Sequence, residues 1–482
     1  MLEIDWKARA IERRIKNKKL KKKCKELTIS RDGWKEKAIK RKADVNVLNK
    51  QLSVVKKKHS EDRQPLINKD KPRRSHFSML VVQFYLLAKI NTSASFRGVS
   101  KTLVVFQFSL NIHCKSPSYQ TGLLWVKKVG YYQLQKPKEI ADDWIIIVDE
   151  SIGIGQEKVL VVLGIRRSNV EFNRPLKMQD LEPLLVKSKE RWTGDMIAEQ
   201  LMIVKEQVGN ILYAVTDSCS TLKKGLREAG INHTYDITHS IAIALERIYK
   251  KDNDFKEYTH KMGQMRFKLC NSKYAHLIPP NQRSKSRFLN IDIISSWGMK
   301  VLKALETTAA SFEERKQLLW VKEKQSLIVE MNNIIDVVKQ ISIVLKTNGL
   351  SKKTKRQCIS ILKQCKKGKM KIFREHVIKY LEVNILNIQK KGEHLLCTSD
   401  IIESTFGRYK NEISKNPMSG ITDLALIIPA LTINLSAKEI KKAIDYSTAK
   451  QLRQWNKENL CESLSVKRNL VFPKKKNEFI SL

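Results

Sequence analysis

The sequence predicts an α/β core on a mixed five-stranded sheet with flanking helices, interrupted by a long all-α insertion and preceded by an α-helical region. Three observations predict it. Two short β-branched runs, 145–148 and 211–215, read as buried strands, and they lead into Asp149 and Asp217. Helical spacing dominates before about residue 138. From 246 to about 394 no strand-like alternation interrupts a basic, helix-patterned stretch.

In order along the chain, residues 1–70 form a basic arm. Its apolar positions, Ile4, Ala8, Ile11 and Ile15, then Val45, Leu48, Leu52 and Val55, repeat every three or four residues on either side of Asp32-Gly33. This predicts two amphipathic, coiled-coil-like helices broken at that dipeptide, or equally a solvated basic helix. The polar stretch 57–74 holds two prolines and reads as a linker. Residues 71–138 carry three short helical patterns, the second opened by Ser95 and the third by Ser116 with Pro117 at its first position. The third is polar, aromatic and basic (Tyr119, Gln120, Lys127, Lys128). That is the composition of the groove-entering member of a helix-turn-helix; a helical bundle without groove contact is the alternative.

Residues 139–245 carry the first part of the α/β core. A hairpin turning between Ile152 and Gln156 is followed by a third strand in PLLVKS, a capped helix ending at Gly209 and the strand before Asp217. A short helix closed by Gly230 then leads to one more extended segment. The order β-β-β-α-β-α-β is that of an RNase H-like domain. The helical insertion, 246–394, separates this part from 395–440, a helical segment containing Glu403, and 441–482 combines a helix with a basic tail.

Composition bounds the partner. The chain holds 92 Lys and Arg against 49 Asp and Glu, a net charge of +43, and the surplus extends well beyond the arm. A polyanion is the expected ligand. No apolar run is long enough for a membrane span and the N-terminus lacks a signal-peptide core, so a soluble, cytoplasmic protein without a membrane partner is expected. Eight scattered cysteines without a C-x-x-C pair read as reduced thiols and give no zinc motif; Cys358 and Cys365 share the spacing of one helix face.

Asp149 in DWIIIVDES, Asp217 in ILYAVTDSC and Glu403 in SDIIESTFGRYK are carboxylates at strand ends and on a helix. That is the donor chemistry a hard divalent cation takes. Asp236 and His239, three apart at a helix start, share a face: His239 can orient a phosphate or simply pack, and Asp236 can cap the helix. These segments, with YDITHSIAIALE in the D-x-x-H position, resemble those of DDE-type transposases of bacterial insertion sequences, within the RNase H-like and integrase superfamily. The resemblance covers about 100 core residues and some 15 around Glu403. It implies two Mg²⁺ or Mn²⁺ ions held by Asp149, Asp217 and Glu403, with Asp149 bridging and Glu150 turned to the other side of the strand. It also implies cleavage and joining of DNA phosphodiesters at transposon ends, double-stranded DNA as partner, a homodimer or higher assembly, and association with the nucleoid when bound. Arg408 and Lys410, a turn beyond Glu403, would hold phosphates, unless they form a solvated face. Trp297, with Trp320 in the same insertion, would stack on a flipped base, unless it packs in a core. An RNase H-like shell that binds DNA without cutting it, and a nuclease without strand transfer, are the competing readings.

Overall fold

The computed structural model describes residues 6–60, 71–110, 115–152, 156–282, 288, 290–307, 310–388, 393–413 and 420–472. The chain divides into two compact units. One comprises residues 1–67 and 106–114, the other 68–105 and 115–482.

The first unit is dominated by one helix, α1 (Trp6–Ser60). It runs unbroken through Asp32-Gly33, contrary to the expected break. An isolated glycine costs a helix only about 1 kcal/mol, and nothing stands within 4 Å of where a Gly33 Cβ would lie. Ile11, Ile15, Leu27 and Leu48 are each more than half exposed. The linker expected at 57–74 begins inside this helix, and its centre, 61–70, lies outside the described residues.

The second unit opens with α2 (Met79–Asn91), α3 (Phe96–Ser109, whose last residues belong to the first unit) and α4 (Tyr119–Gln135). Ser95 caps α3 as expected, its hydroxyl accepting from the Gly98 N–H. For α4 the cap is Ser118, whose side chain accepts from the Thr121 N–H, so the helix starts two residues beyond the expected Pro117.

The sheet follows in β1 (Ala141–Ile152), β2 (Lys158–Arg166) and β3 (Glu182–Lys189). After α5 (Gly194–Val208) come β4 (Gly209–Thr216), α6 (Ser220–Glu228) and β5 (His233–Tyr235). The strand order is β3-β2-β1-β4-β5. β1 pairs antiparallel with β2 and parallel with β4, giving the expected mixed, five-stranded sheet with helices around it. The tip of the β1–β2 hairpin, 153–155, lies outside the described residues. At the α5–β4 junction Gly209 has φ +94°, and a Cβ there would meet the Ala141 carbonyl oxygen at 2.4 Å.

β1 is central, and residues 144–148 are almost wholly buried. Its even-numbered side chains, Trp144, Ile146 and Val148, pack with Ile197, Leu201, Leu222 and Leu226 of α5 and α6. Each such side chain contributes about 1.5–3 kcal/mol on burial. By the two-residue period of a strand, Ile145, Ile147 and Asp149 face the opposite side.

α7 (Ile237–Tyr249) leads into the insertion, which runs through α8 (Asn253–Leu269), α9 (Ile291–Glu306), α10 (Phe312–Leu318), α11 (Gln325–Asn348), α12 (Lys352–Leu362) and α13 (Gly368–Ile385). It contains no strand among its described residues, only a single bridge between Leu350 and Leu395. Cys365 lies beyond the end of α12, so Cys358 and Cys365, both buried, do not share a helix. The chain then returns in α14 (Asp400–Ile413) and the short α15 (Ile427–Ala430). Where one helix was expected, α16 (Ala437–Tyr446), α17 (Ala449–Asn459) and α18 (Leu464–Val471) follow; the end of the expected basic tail, 473–482, lies outside the described residues. Among the described residues no helix is long and apolar enough to cross a membrane.

Candidate active site

Asp149 and Asp217 are brought together by strand pairing. β1 and β4 run parallel with Ile147 opposite Val215, and two further residues along each chain put Asp149 beside Asp217. Asp149 accepts the Glu150 N–H at 2.7 Å, and Asp217, just past β4, accepts the Cys219 N–H at 2.8 Å. Burial first, then the charge of Asp217, pushes the Asp149 carboxyl up to about 7. Two carboxylates drawn into a poorly solvated site repel each other, and a cation relieves that strain. Glu150 turns away and pairs with Lys158 at 2.6 Å.

The third carboxylate arrives on α14, which contacts β1. Glu403 lies in its first turn, and burial raises its pKa while His239 acts to lower it. His239 Nδ1 stands 3.5 Å from Glu403 Oε1 and 3.1 Å from Asp236 Oδ1. The bond to Asp236, outweighing burial, raises His239 to about 9, so the ring is an imidazolium at neutral pH.

Asp236 is the hinge pin of this arrangement. It caps α7 through the His239 N–H at 2.7 Å, while its other oxygen accepts the Ser399 N–H at 2.6 Å and the Ser399 hydroxyl at 3.0 Å. Its burial acts to raise its pKa, but these bonds prevail and hold it below the ordinary value. Two further bonds join the same segments: Ile237 N–H to the Cys397 carbonyl at 2.9 Å, and Thr238 Oγ1 to Asp400 Oδ1 at 3.0 Å. These bonds lock α7 to the residues at the start of α14, the helix that carries Glu403. Ser399, 163 residues from Asp236, gave no signal beyond being a helix-capping residue type in a polar loop.

At its far end α14 is fixed to α2. Lys89 and Glu412 form a buried ion pair at 2.6 Å, and the Arg408 guanidinium donates to the Ile90 carbonyl. Arg408 is thus a packing residue here, whereas Lys410 is exposed. α4 is packed within the unit: Lys127 pairs with Asp423 at 2.7 Å, and Lys128 donates to the Ile444 carbonyl at 3.3 Å. Gln120 is exposed, and Tyr119 lies under the Arg97 guanidinium at 4.8 Å. Trp297 sits 6.4 Å from Trp320, which in turn lies 5.8 Å from Tyr258, an aromatic cluster inside the insertion.

The donor chemistry of Asp149, Asp217 and Glu403 fits a hard dication. Among the described residues, however, no three His, Cys, Asp or Glu side chains converge as a metal-holding group.

No family model matches the chain, and no curated protein matches it. Among solved structures, the chain is similar to the Drosophila P element transposase strand transfer complex, at 14% sequence identity over 84% of this chain and 100% of that chain, with a TM-score of 0.37. A likeness of that size leaves the assignment to the geometry of the site itself.

Proposed function

We propose that this chain is a metal-dependent DNA transposase of the insertion-sequence type, cutting and joining phosphodiesters with Asp149, Asp217 and Glu403. The observation that carries the reading is that Asp149 and Asp217 end neighbouring parallel strands while Glu403, 3.5 Å from His239 Nδ1, lies near enough for its charge to act on Asp149. The net charge of +43 supports a polyanionic substrate.

Asp149, Asp217 and Glu403 would hold Mg²⁺ or Mn²⁺, which when bound supply an activated oxygen nucleophile and stabilise the leaving oxygen. The chain's own groups orient the reaction. Asp236 fixes the His239 ring through Nδ1, leaving Nε2 as the atom that donates to a non-bridging phosphate oxygen.

That no three such donors converge among the described residues favours one second reading, an RNase H-like DNA-binding protein that does not cut. A duplex bearing the ends that flank the encoding gene, incubated with Mg²⁺, separates the two. The transposase reading expects nicked ends and joined products with Mg²⁺ and none with chelator. Intact DNA in a stable complex under both conditions would favour the second reading.

A further inference from the structure

Next to Asp217 and His239 in the chain lie residues of a cavity of about 280 Å³, lined from α7, α13, β5 and the segment after β4. On α7 the lining positions Ser240, Ile243 and Arg247 recur at helical spacing, as do His376, Lys379 and Val383 on α13, so two helix faces form its walls. Lys223 of α6 closes it over the Tyr235 ring, its Nζ 4.8 Å from the centroid. Three cations and a histidine thus converge, and among the described residues no carboxylate lines the cavity. Hydroxyl donors complete the lining: Ser218, and Ser240 with its Oγ 3.2 Å from His376 Nε2. Burial, followed by the Arg247 charge, holds His376 below its ordinary pKa, which keeps the ring neutral amid the positive field.

We propose that this cavity is a phosphate-binding subsite that grips a backbone phosphate of the nucleic-acid strand next to the one being cut. Arg247 offers a planar fork to two phosphate oxygens, and Lys223 and Lys379 act as point charges. The position supports this partner. Ser218 directly follows Asp217, and Ser240 directly follows His239, so a strand whose scissile phosphate lies at the carboxylates passes the cavity within a nucleotide or two. The inference rests on the transposase reading for its substrate, but its test measures binding rather than cleavage.

The experiment is fluorescence anisotropy with a labelled 20-mer duplex in chelator, across a series of salt concentrations. Arg247→Gln combined with Lys379→Gln is expected to weaken binding roughly tenfold or more at low salt. The slope of log K against log salt should become less negative by about 0.9 for each phosphate that the variant no longer neutralises. The control pair Lys450→Gln with Arg453→Gln, both exposed on α17, removes the same charge and should leave the slope unchanged. Thermal unfolding checks that the variants fold, and Arg247→Lys should restore part of the slope. Wild-type affinity and slope in the cavity variant, or an equal loss in the control pair, would overturn the subsite. So would tight binding of a free 5′-mononucleotide that leaves duplex affinity untouched. Lost binding in the cavity variant of a chain that never cuts DNA would uphold the subsite and remove the transposase reading; normal binding in a chain that cuts would do the reverse.

Discussion

Two of the three proposed site carboxylates and the third are held in different ways. Asp149 and Asp217 stand on neighbouring parallel strands, and the backbone ladder of a buried sheet fixes their separation. Glu403 depends mainly on side chains, Asp236 to Ser399, Thr238 to Asp400 and, at the other end of α14, Lys89 to Glu412, with one backbone bond from Ile237 to Cys397. One half of the site therefore belongs to the fold and the other half to a polar lock. The placement of the first half should survive a single substitution; that of the second should fail when one buried carboxylate is changed.

The largest effect is expected in the sheet-borne half. Asp149→Asn and Asp217→Asn should each lower DNA cleavage by roughly 10³-fold or more, since ion-assisted stabilisation amounts to several kcal/mol. In metal-free protein Asp149→Asn should not lower the melting temperature. The buried carboxylate has its pKa raised to about 7, so the stability it costs the fold grows from about 4, where the unfolded carboxyl ionises, and is complete once pH has risen through about 7. A melting temperature that fell with pH equally in wild type and variant would contradict that origin.

Asp236→Asn strikes the lock rather than the ligands. Leaving His239 and Ser399 with a weaker partner should cost about 2–4 kcal/mol in urea unfolding and lower cleavage roughly 10–100-fold, with DNA affinity kept. Loss of stability without loss of cleavage would mean that Glu403 reaches the site without the lock.

His239 reports the lock directly. Its imidazole NMR signals should titrate near 9 in the wild type and shift back toward the ordinary value in Asp236→Asn. Because the folded pKa is raised, the stability this pair contributes is full below about 6.5 and lost as pH rises through about 9. The smallest effect is expected from Thr238→Val, which removes one bond to Asp400 and should cost about 1 kcal/mol with a few-fold loss of cleavage.

The same division explains what the sequence revealed. The sheet half was legible because buried strands announce themselves by β-branched runs and turns, so β1 through β5 and Gly209 all stand where pattern put them. The acidic residues that follow the two strands carried the resemblance. Asp236 and His239 were visible as a pair, but Ser399 was not, because a tertiary hydrogen bond across 163 residues leaves no local periodicity. Lys127 and Arg408 read as surface cations because nothing local marks their partners, Asp423 and the Ile90 carbonyl. The continuity of α1 was missed for a different reason: a dipeptide that favours turns yields to a long run of strong helix formers on both sides.

Whether Glu403 joins Asp149 and Asp217 in one metal-binding site is decided by Mn²⁺ binding followed by electron paramagnetic resonance, which requires no turnover. Saturable binding in the wild type, weakened in Asp149→Asn, Asp217→Asn and Glu403→Gln alike, is the predicted result. Binding that survives unchanged in all three variants, or no saturable binding with or without a duplex present, would contradict it.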